Sequence, residues 1–376
     1  MDIGEMFQFE ECDNGYVLKN FLLKDDASVT ELEIPSKYKG KPVISIGQKA
    51  FSEAKYLCSI KISEGIKEIG ENAFYFCTAL KSVILPDSLK AIRTSAFDVC
   101  MRLKTVLFPS GLELIDGFAF HYCENIKSAI LPSDLINLGK GAFGECRRLE
   151  SVVFHEKLEY IGPFAFRGCR NLKSAVLPKK IKSVKDSLFG HCSNLENIEF
   201  PDGLEEIGDF AFVNCGLRSV TFPQGLRKIG QKAFMSCSKL EKAVFQNSTT
   251  SLWSSVFSNC PKLAAENVIQ ALAHSSDVTK AFSGSERFDW NSALRDDVFA
   301  LALKYDSFAL FDKENVFVEI VERNLCRFLP MAENAGWDIS EKFLGELLDI
   351  SLDNGFTEIT AWLLDYKNRK FGFGKV

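Results

Sequence analysis

The sequence of 376 residues lacks several features that mark common classes of protein. Its apolar runs are far shorter than the roughly 20 residues that a membrane-spanning helix needs. Its 45 Lys and Arg residues are outnumbered by 50 Asp and Glu residues, so the chain has no overall positive charge with which to bind nucleic acid. With 46% hydrophobic and 25% charged residues, the composition excludes a largely disordered chain.

The first residues include neither the basic nor the apolar segment of a secretory signal peptide. This predicts a cytoplasmic protein. A cell-surface or secreted location is the alternative, if a signal peptide has been removed.

Motifs of catalytic sites are also lacking. The sequence contains no G-x-S-x-G, Walker-type or H-E-x-x-H motif and only four His residues. His121, His155 and His191 stand at variable positions of the repeat described below and are predicted to face solvent. We predict that the protein is not an enzyme and uses no cofactor, metal ion or nucleic acid. A remote alternative is an enzyme with its site in residues 264–376.

One pattern dominates the rest of the sequence: Ala-Phe, with Cys three residues after the Phe and Leu six residues after it. The step between copies is 23 residues, except for one step of 22 after Cys215. Nine of the 12 Cys follow this pattern. Its Phe residues are Phe51, Phe74, Phe97, Phe120, Phe143, Phe166, Phe189, Phe212, Phe234 and Phe257.

Each unit also contains a short strand signal. Val83 and Leu85 alternate with polar or exposed positions, and Pro86 then ends the strand because it cannot donate a hydrogen bond. A Gly such as Gly70 follows in most units and is predicted to form a turn. A unit of this size cannot bury its apolar side alone, whereas stacked units can, and this predicts a solenoid.

The repeat resembles the BspA-type leucine-rich repeat of bacterial and protozoal proteins, over about residues 35–263. The hallmark of that family, I-G-x-x-A-F-x-x-C-x-x-L, is matched by most units, first by Ile69, Gly70, Ala73, Phe74, Cys77 and Leu80. The resemblance implies an α/β repeat solenoid, right-handed, of about ten units with a parallel sheet of short strands. It also implies a role in adhesion, host-protein binding or aggregation, since BspA-like proteins are thought to serve these functions and are typically exported.

The sequence predicts three parts. Residues 1–34 are predicted to be an N-terminal β-hairpin cap around the turn at Asn14 and Gly15. Residues 35–263 form the solenoid, and residues 264–376 form an all-α C-terminal domain. Helix-period apolar residues place its helices at residues 264–273, 291–305, 316–329, 341–352 and 357–366. The last two weakly resemble the helix–turn–helix half of an ankyrin repeat, although they lack its Thr-Pro-Leu-His turn.

The repeated Cys residues are predicted to be buried, reduced thiols. Equivalent positions of a solenoid lie in a line about 4.8 Å apart, so they do not converge on a metal ion. Neighbouring thiols could in principle reach disulfide distance, but Cys is among the most buried residue types and packs as a small hydrophobe. The Phe residues are likewise predicted to form a buried stack.

The candidate binding surface lies on the strands. If Val83 faces inward, Ser82 and Ile84 face outward, on what is predicted to be the concave sheet. The position of Ile84 is aliphatic in five consecutive units, which predicts an exposed stripe about 20 Å long and a protein-binding surface. Alternatively, aliphatic residues simply favour strands, or the C-terminal domain covers them. The predicted partner-binding residues are Ile84, Leu107, Ile130, Val153 and Val176.

We therefore predict a non-catalytic, monomeric protein–protein interaction module that binds an unidentified protein partner through the concave face. The alternative is a cell-surface adhesin that binds host or neighbouring-cell proteins.

Overall fold

The computed structural model describes residues 3–246, 250–252, 256–263, 313–322, 324, 326–334 and 338–371. The helices predicted at residues 264–273 and 291–305 lie outside the described residues. The described residues form two apolar clusters, one that runs through the whole solenoid and one among the C-terminal helices.

The chain begins with a short helix, Ile3–Met6, and a hairpin of strands Phe7–Cys12 and Gly15–Phe21. The antiparallel pairing ends at Cys12 and Gly15, so the hairpin turn lies where the Asn-Gly signal predicts it. The second hairpin strand pairs in parallel with the strand Lys41–Ile46, which joins the hairpin to a sheet of the solenoid. The strand Lys37–Tyr38 also pairs with Lys41–Ile46, in the antiparallel sense.

The predicted parallel sheet, called the first sheet below, contains one short strand from each unit. Neighbouring strands pair one repeat apart, as Ser128 does with Ser151. The hydrogen-bonded ladder is interrupted in places, but the neighbouring strands remain in contact there. The strands are Glu31–Ile34, Ser59–Ile62, Ser82–Ile84, Thr105–Val106, Ser128–Ile130, Ser151–Val153, Ser174–Val176, Asn197–Glu199, Ser219–Phe222 and Lys242–Phe245.

Each unit adds a strand to a second sheet, which the sequence reasoning missed. Most of these strands have only two residues, an exposed or half-buried one and then a buried aliphatic one such as Ile69, so they are too short for an alternating pattern. They are Lys41–Ile46, Glu68–Ile69, Ala91–Ile92, Leu114–Ile115, Asn137–Leu138, Tyr160–Ile161, Ser183–Val184, Glu206–Ile207, Lys228–Ile229 and Ser251–Leu252.

An arc without helix connects each second-sheet strand to the next first-sheet strand. In one arc the N–H groups of Ser95, Phe97 and Val99 each donate to a carbonyl of the next unit, at 2.8 Å. Ser95 and Val99 have φ values of 52° and 62°, a region that L-residues occupy at a cost. The hydrogen bonds between units offset that cost, because they give the alternating N–H groups of the arc their partners.

The ten repeated Phe side chains form one continuous stack. Neighbouring ring centroids lie 4.8–5.8 Å apart, and their planes are within 26° of parallel. Phe21 of the hairpin extends the stack, 5.3 Å from Phe51. The predicted aromatic core is confirmed, since every one of these rings is buried.

The Cys ladder makes a polar contact that composition does not reveal. Cys100 Sγ donates to the carbonyl oxygen of Phe74 in the preceding unit at 3.2 Å, and the bond recurs at 3.1–3.2 Å from Cys77 to Cys260. All these Cys residues are buried free thiols. Burial raises the pKa of Cys100, Cys123, Cys146, Cys169, Cys192 and Cys215.

The recurring Gly begins a turn, as predicted, since Ala73 N donates to Gly70 O at 3.2 Å and Ala142 N donates to Gly139 O at 3.3 Å. Gly70 and Gly139 do not have positive φ values. A Cβ atom on Gly139 would lie 2.3 Å from the carbonyl carbon of Asp116, and one on Gly70 would lie 2.7 Å from the Ile46 oxygen. The glycines therefore permit the close approach of neighbouring units.

The C-terminal helices are Lys313–Glu322, Leu329–Asn334, Glu341–Asp353 and Thr357–Phe371, with a 3₁₀ turn at Cys326–Phe328. The single helix predicted at residues 316–329 is wrong. The first helix ends at Glu322, and Asn324 adopts a left-handed φ of 55°, as helix C-caps often do. The last two helices begin where predicted. Ser340 caps the first of them by accepting a hydrogen bond from Phe343 N at 3.3 Å.

Candidate functional site

The first sheet separates buried from exposed side chains by strand alternation. Val83 is 6% exposed, whereas its neighbours Ser82 and Ile84 face solvent. The same exposed–buried–exposed pattern recurs in the strands Ser128–Ile130, Ser151–Val153 and Ser174–Val176. The strand geometry therefore fixes which side chains a partner could contact.

The five predicted binding residues form one row on the outer face of the first sheet, called the aliphatic row below. Their exposed fractions run from 47% for Val153 to 76% for Leu107, so none of them belongs to the core. Ile130 and Val153 are direct partners on neighbouring strands. The members of the aliphatic row are Ile84, Leu107, Ile130, Val153 and Val176.

Charged side chains occupy the same strand position on both sides of the aliphatic row. Lys61 pairs in register with Ile84 and forms an ion pair with Glu33 at 2.8 Å. Glu199 pairs in register with Val176. The apolar surface at this position is therefore confined to five consecutive units.

Two further rows run beside the aliphatic row. The hydroxyl row precedes it by two residues in each unit and consists of Ser82, Thr105, Ser128, Ser151 and Ser174, all exposed. The lysine row lies one residue earlier still, at the N-terminal ends of the same strands. It consists of Lys81, Lys104, Lys127 and Lys173, with Glu150 at the fourth position. Sequence reasoning missed the lysine row, although the repeat alignment contains it.

None of the four Lys residues of the lysine row forms an ion pair within the part of the chain that the structure describes. Across the second sheet, by contrast, opposite charges on neighbouring units are paired. Arg93 Nη2 lies 2.6 Å from Glu68 Oε2, and Lys228 Nζ lies 2.8 Å from Glu206 Oε1. The lysine row thus differs from the second sheet in whether its charges already have partners.

A shallow polar pocket of about 430 Å³ lies on the second sheet, lined in part by Gln48, Glu68, Arg93 and Asp116. The Glu68 and Arg93 side chains contact each other there, at 2.9 and 2.6 Å from Arg93 Nε and Nη2 to Glu68 Oε2. The charged groups of the pocket are therefore used in binding one unit to the next.

The sequence predicts that the His residues of the arcs face solvent, but in the structure their side chains contact polar groups of other units. His121 Nδ1 lies 3.0 Å from Asp98 Oδ1 of the preceding unit, and His191 Nδ1 lies 3.2 Å from Asn214 Nδ2. Burial and the nearby Arg167 lower the pKa of His191. Each His links neighbouring units.

Gly139, Gly141 and Gly144 have the G-x-G-x-x-G spacing that is typical of dinucleotide-binding turns. They follow the strand Asn137–Leu138 but lead into an arc rather than a helix, and Phe143 among them is buried in the ring stack. This arc therefore lacks the helix N-terminus that holds a pyrophosphate in such sites. Elsewhere in the described ranges, no group of three or more His, Cys, Asp or Glu residues could hold a metal ion.

The stacked units, the sheet of short parallel strands and the recurring L-x-x-V-x-L pattern define the chain as a leucine-rich-repeat solenoid. The sequence profile of the BspA-type leucine-rich repeat region matches residues 44–173 and 159–287, with six copies of the repeat. The chain belongs to the BspA-type leucine-rich repeat family.

One solved structure agrees with this assignment. A leucine-rich repeat protein from Bacteroides ovatus is 33% identical, with 68% of this chain and 67% of that chain covered and a TM-score of 0.61. A leucine-rich cell surface protein from Faecalibacterium prausnitzii is 23% identical, with 69% and 92% covered and a TM-score of 0.40. Comparison with curated proteins yields no match.

Among the helices in the described ranges, none has the length and apolar character required to span a bilayer.

Proposed function

We propose that the protein is a non-catalytic interaction module that binds a protein partner through the outer face of the first sheet. The observation that carries this proposal is the aliphatic row, five exposed aliphatic side chains at the same position of consecutive units. Isolated exposed apolar residues are ordinary on protein surfaces, whereas contiguous ones favour an interaction site. Leucine-rich repeats in general mediate protein interactions, which supports the same reading.

The aliphatic row lies outside the apolar core, and this also supports the proposal. The core of the solenoid lies on the other side of the first sheet, where Val83 and its equivalents pack with the Phe stack. A large aliphatic side chain at Leu107, 76% exposed, adds little to that core. A contact with another protein would explain why five units carry such side chains.

Peptide selection on the full-length chain tests the proposal. A displayed random peptide library is selected on the wild-type protein, and the binders are then measured on Ile130→Asp. The matched control is Ile136→Asp, because Ile136 is 45% exposed but immediately precedes a second-sheet strand. We expect Ile130→Asp to weaken the selected binders at least about tenfold and Ile136→Asp to leave them unchanged. Binders that tolerate Ile130→Asp, with circular dichroism showing an intact fold, would refute the proposal.

The cell-surface adhesin would use the same surface in another location. Membership of the BspA-type family supports this alternative. Fractionation of the source cells with an antibody against the protein distinguishes the two, since an adhesin is expected in the surface fraction. The alternative of an enzyme site in residues 264–376 lies partly outside the described residues.

A further inference from the structure

The three rows of the first sheet have the dimensions of a binding groove. The lysine row stands just before the strands and is three residues from the aliphatic row along the chain, which is about 10 Å of extended backbone. The hydroxyl row lies between them and carries only short side chains. An α-helix with its side chains is also about 10 Å across. A helix that lies across the strands would therefore fit over the hydroxyl row. The longer side chains of the lysine row and of the aliphatic row would flank it.

The net charge of this groove is positive. Four Lys residues and one Glu residue give the lysine row a net charge of +3 over five units, in a chain whose net charge is −5. These Lys residues form no ion pair within the described residues, so their charges are available to a partner. A partner that places carboxylates beside them would gain attraction and a faster encounter, whereas a basic partner would be repelled.

The spacing of the rows favours a helix over an extended strand. The strand Ser82–Ile84 already pairs on both sides, with Ser59–Ile62 and Thr105–Val106, so a partner cannot extend the sheet there. Side chains on one face of an extended chain repeat about every 6.6 Å, whereas those on one face of a helix repeat about every 5.4 Å. The helical value is closer to the strand spacing of about 4.8 Å, so one helical turn matches one unit.

We infer that the partner segment is an amphipathic α-helix with carboxylates along one side of its aliphatic face, an inference that rests on the proposed function. The helix lies across the strands, and its aliphatic side chains contact the aliphatic row. Its Asp or Glu side chains contact Lys81, Lys104 and Lys127. The five units accommodate a helix of about 13 residues, since four strand spacings make up about 19 Å.

Designed peptides test this inference on the full-length wild-type protein. The first peptide is a helix of four turns with one Leu per turn and Glu on one side of the Leu stripe. The second has Lys at each of those Glu positions, and the third repeats the first with a central Pro that breaks the helix. Fluorescence anisotropy should show the acidic helix binding at least about tenfold more tightly than either of the others. Its affinity should fall severalfold between about 0.05 M and about 0.3 M salt.

Reversing the charge of Lys residues in the lysine row then tests whether the peptide binds beside them. Lys104→Glu with Lys127→Glu should reverse the preference, so that the basic helix binds more tightly than the acidic one. The matched control is Lys67→Glu with Lys182→Glu, because both of these exposed Lys residues immediately precede second-sheet strands. The control should bind both peptides as the wild type does.

The failure of this inference can be told apart from failure of the proposed function. Equal binding of acidic and basic helices, both lost in Ile130→Asp, overturns the acidic partner and leaves the interaction surface in place. Tighter binding of the Pro peptide than of its parent overturns the helix. If the chain self-associates and Ile130→Asp abolishes that association, the inferred helical partner is overturned as well. The aliphatic row would then bind a second copy of this chain. If the peptides selected from the library also bind Ile130→Asp as tightly as the wild type, the proposed function itself is refuted.

Discussion

The solenoid and the C-terminal helices bury their apolar side chains in different ways. In the solenoid each core residue packs against its own equivalents, so that Phe143 lies between Phe120 and Phe166. The C-terminal cluster instead consists of unlike residues, such as Leu347 and Tyr366, at positions set by helix period. In the repeated core, the same residue types recur at the same positions of every unit. In the helical core, each position carries its own residue type.

This difference in packing determines how cooperatively each region is expected to unfold. Each unit of the solenoid contacts only its neighbours, so its stability is a sum over units and interfaces. The helical cluster has no such repeat and is expected to unfold as one body. The four predictions below test this comparison, from the largest expected effect to the smallest.

Alkaline pH is expected to unfold the solenoid before the C-terminal helices. The folded solenoid raises the pKa of seven buried thiols, which stay protonated where the unfolded chain loses their protons. Stability is therefore complete below the unfolded thiol pKa of about 8.5 and falls as the pH rises above it. Among the described residues the helices contain only one Cys, Cys326.

Limited proteolysis with mass spectrometry between about pH 7.5 and about pH 10 measures this order. The variant Cys146→Ala with Cys169→Ala serves as the control. Between neutral and alkaline pH, its solenoid should lose less stability than the wild-type solenoid loses. Earlier cleavage of residues 341–371 than of the solenoid would contradict the prediction.

Phe143→Ala is expected to destabilise the solenoid by about 4 kcal/mol, because it removes a ring that is stacked on both sides. Phe257→Ala, at the end of the stack, should cost about 2 kcal/mol, since only Phe234 stacks on that ring within the described residues. Urea denaturation followed by circular dichroism gives both values. Equal losses for the two variants would show that the stack does not act through neighbouring rings.

Leu347→Ala is expected to cost the helical cluster about 3 kcal/mol, because Leu347 is fully buried there. Hydrogen exchange should accelerate in residues 341–371 and stay unchanged in the solenoid. Leu352→Ala is the control, since Leu352 is 61% exposed and its loss should change little. Faster exchange in both regions would mean that the two clusters unfold together, against the predicted domain boundary at residue 264.

Cys146→Ala is expected to cost only about 1 kcal/mol. The thiol donates to the carbonyl of Phe120, but that oxygen also accepts a hydrogen bond from Cys123 N at 3.2 Å and keeps this partner. Thermal unfolding measures the difference, with the half-buried Cys58→Ala outside the ladder as the comparison. A loss as large as that of Phe143→Ala would mean that the thiol contributes far more than a weak donor.

Sequence periodicity predicts most of the solenoid because position in the repeat determines position in the fold. The Phe stack, the first sheet and the outward direction of Ile84 all follow from alignment of the units. The second sheet does not, since two residues such as Glu68 and Ile69 cannot show an alternating pattern. The left-handed residues of the arcs, such as Val99, carry no sequence signal either, because hydrogen bonds between units hold them there.

The helical region was harder to predict because each boundary depends on one local signal. Ser340 before the helix Glu341–Asp353 is an ordinary N-cap, and this start was predicted correctly. The break near Asn324 was missed, since helix-period apolar residues continue past it. At the candidate site, exposure of the aliphatic row could be predicted. That Lys81 and Lys104 form no ion pair with any described residue could be seen only from the positions of neighbouring units.

Because every unit is bound only to the units before and after it, the number of units sets the length of the surface they present. Gain or loss of one 23-residue unit in a gene would lengthen or shorten the aliphatic row by one strand spacing, about 4.8 Å, with no change in its composition. The one 22-residue step, after Cys215, comes beyond the five units of the row. Relatives in this family could therefore select partners of different length through copy number alone.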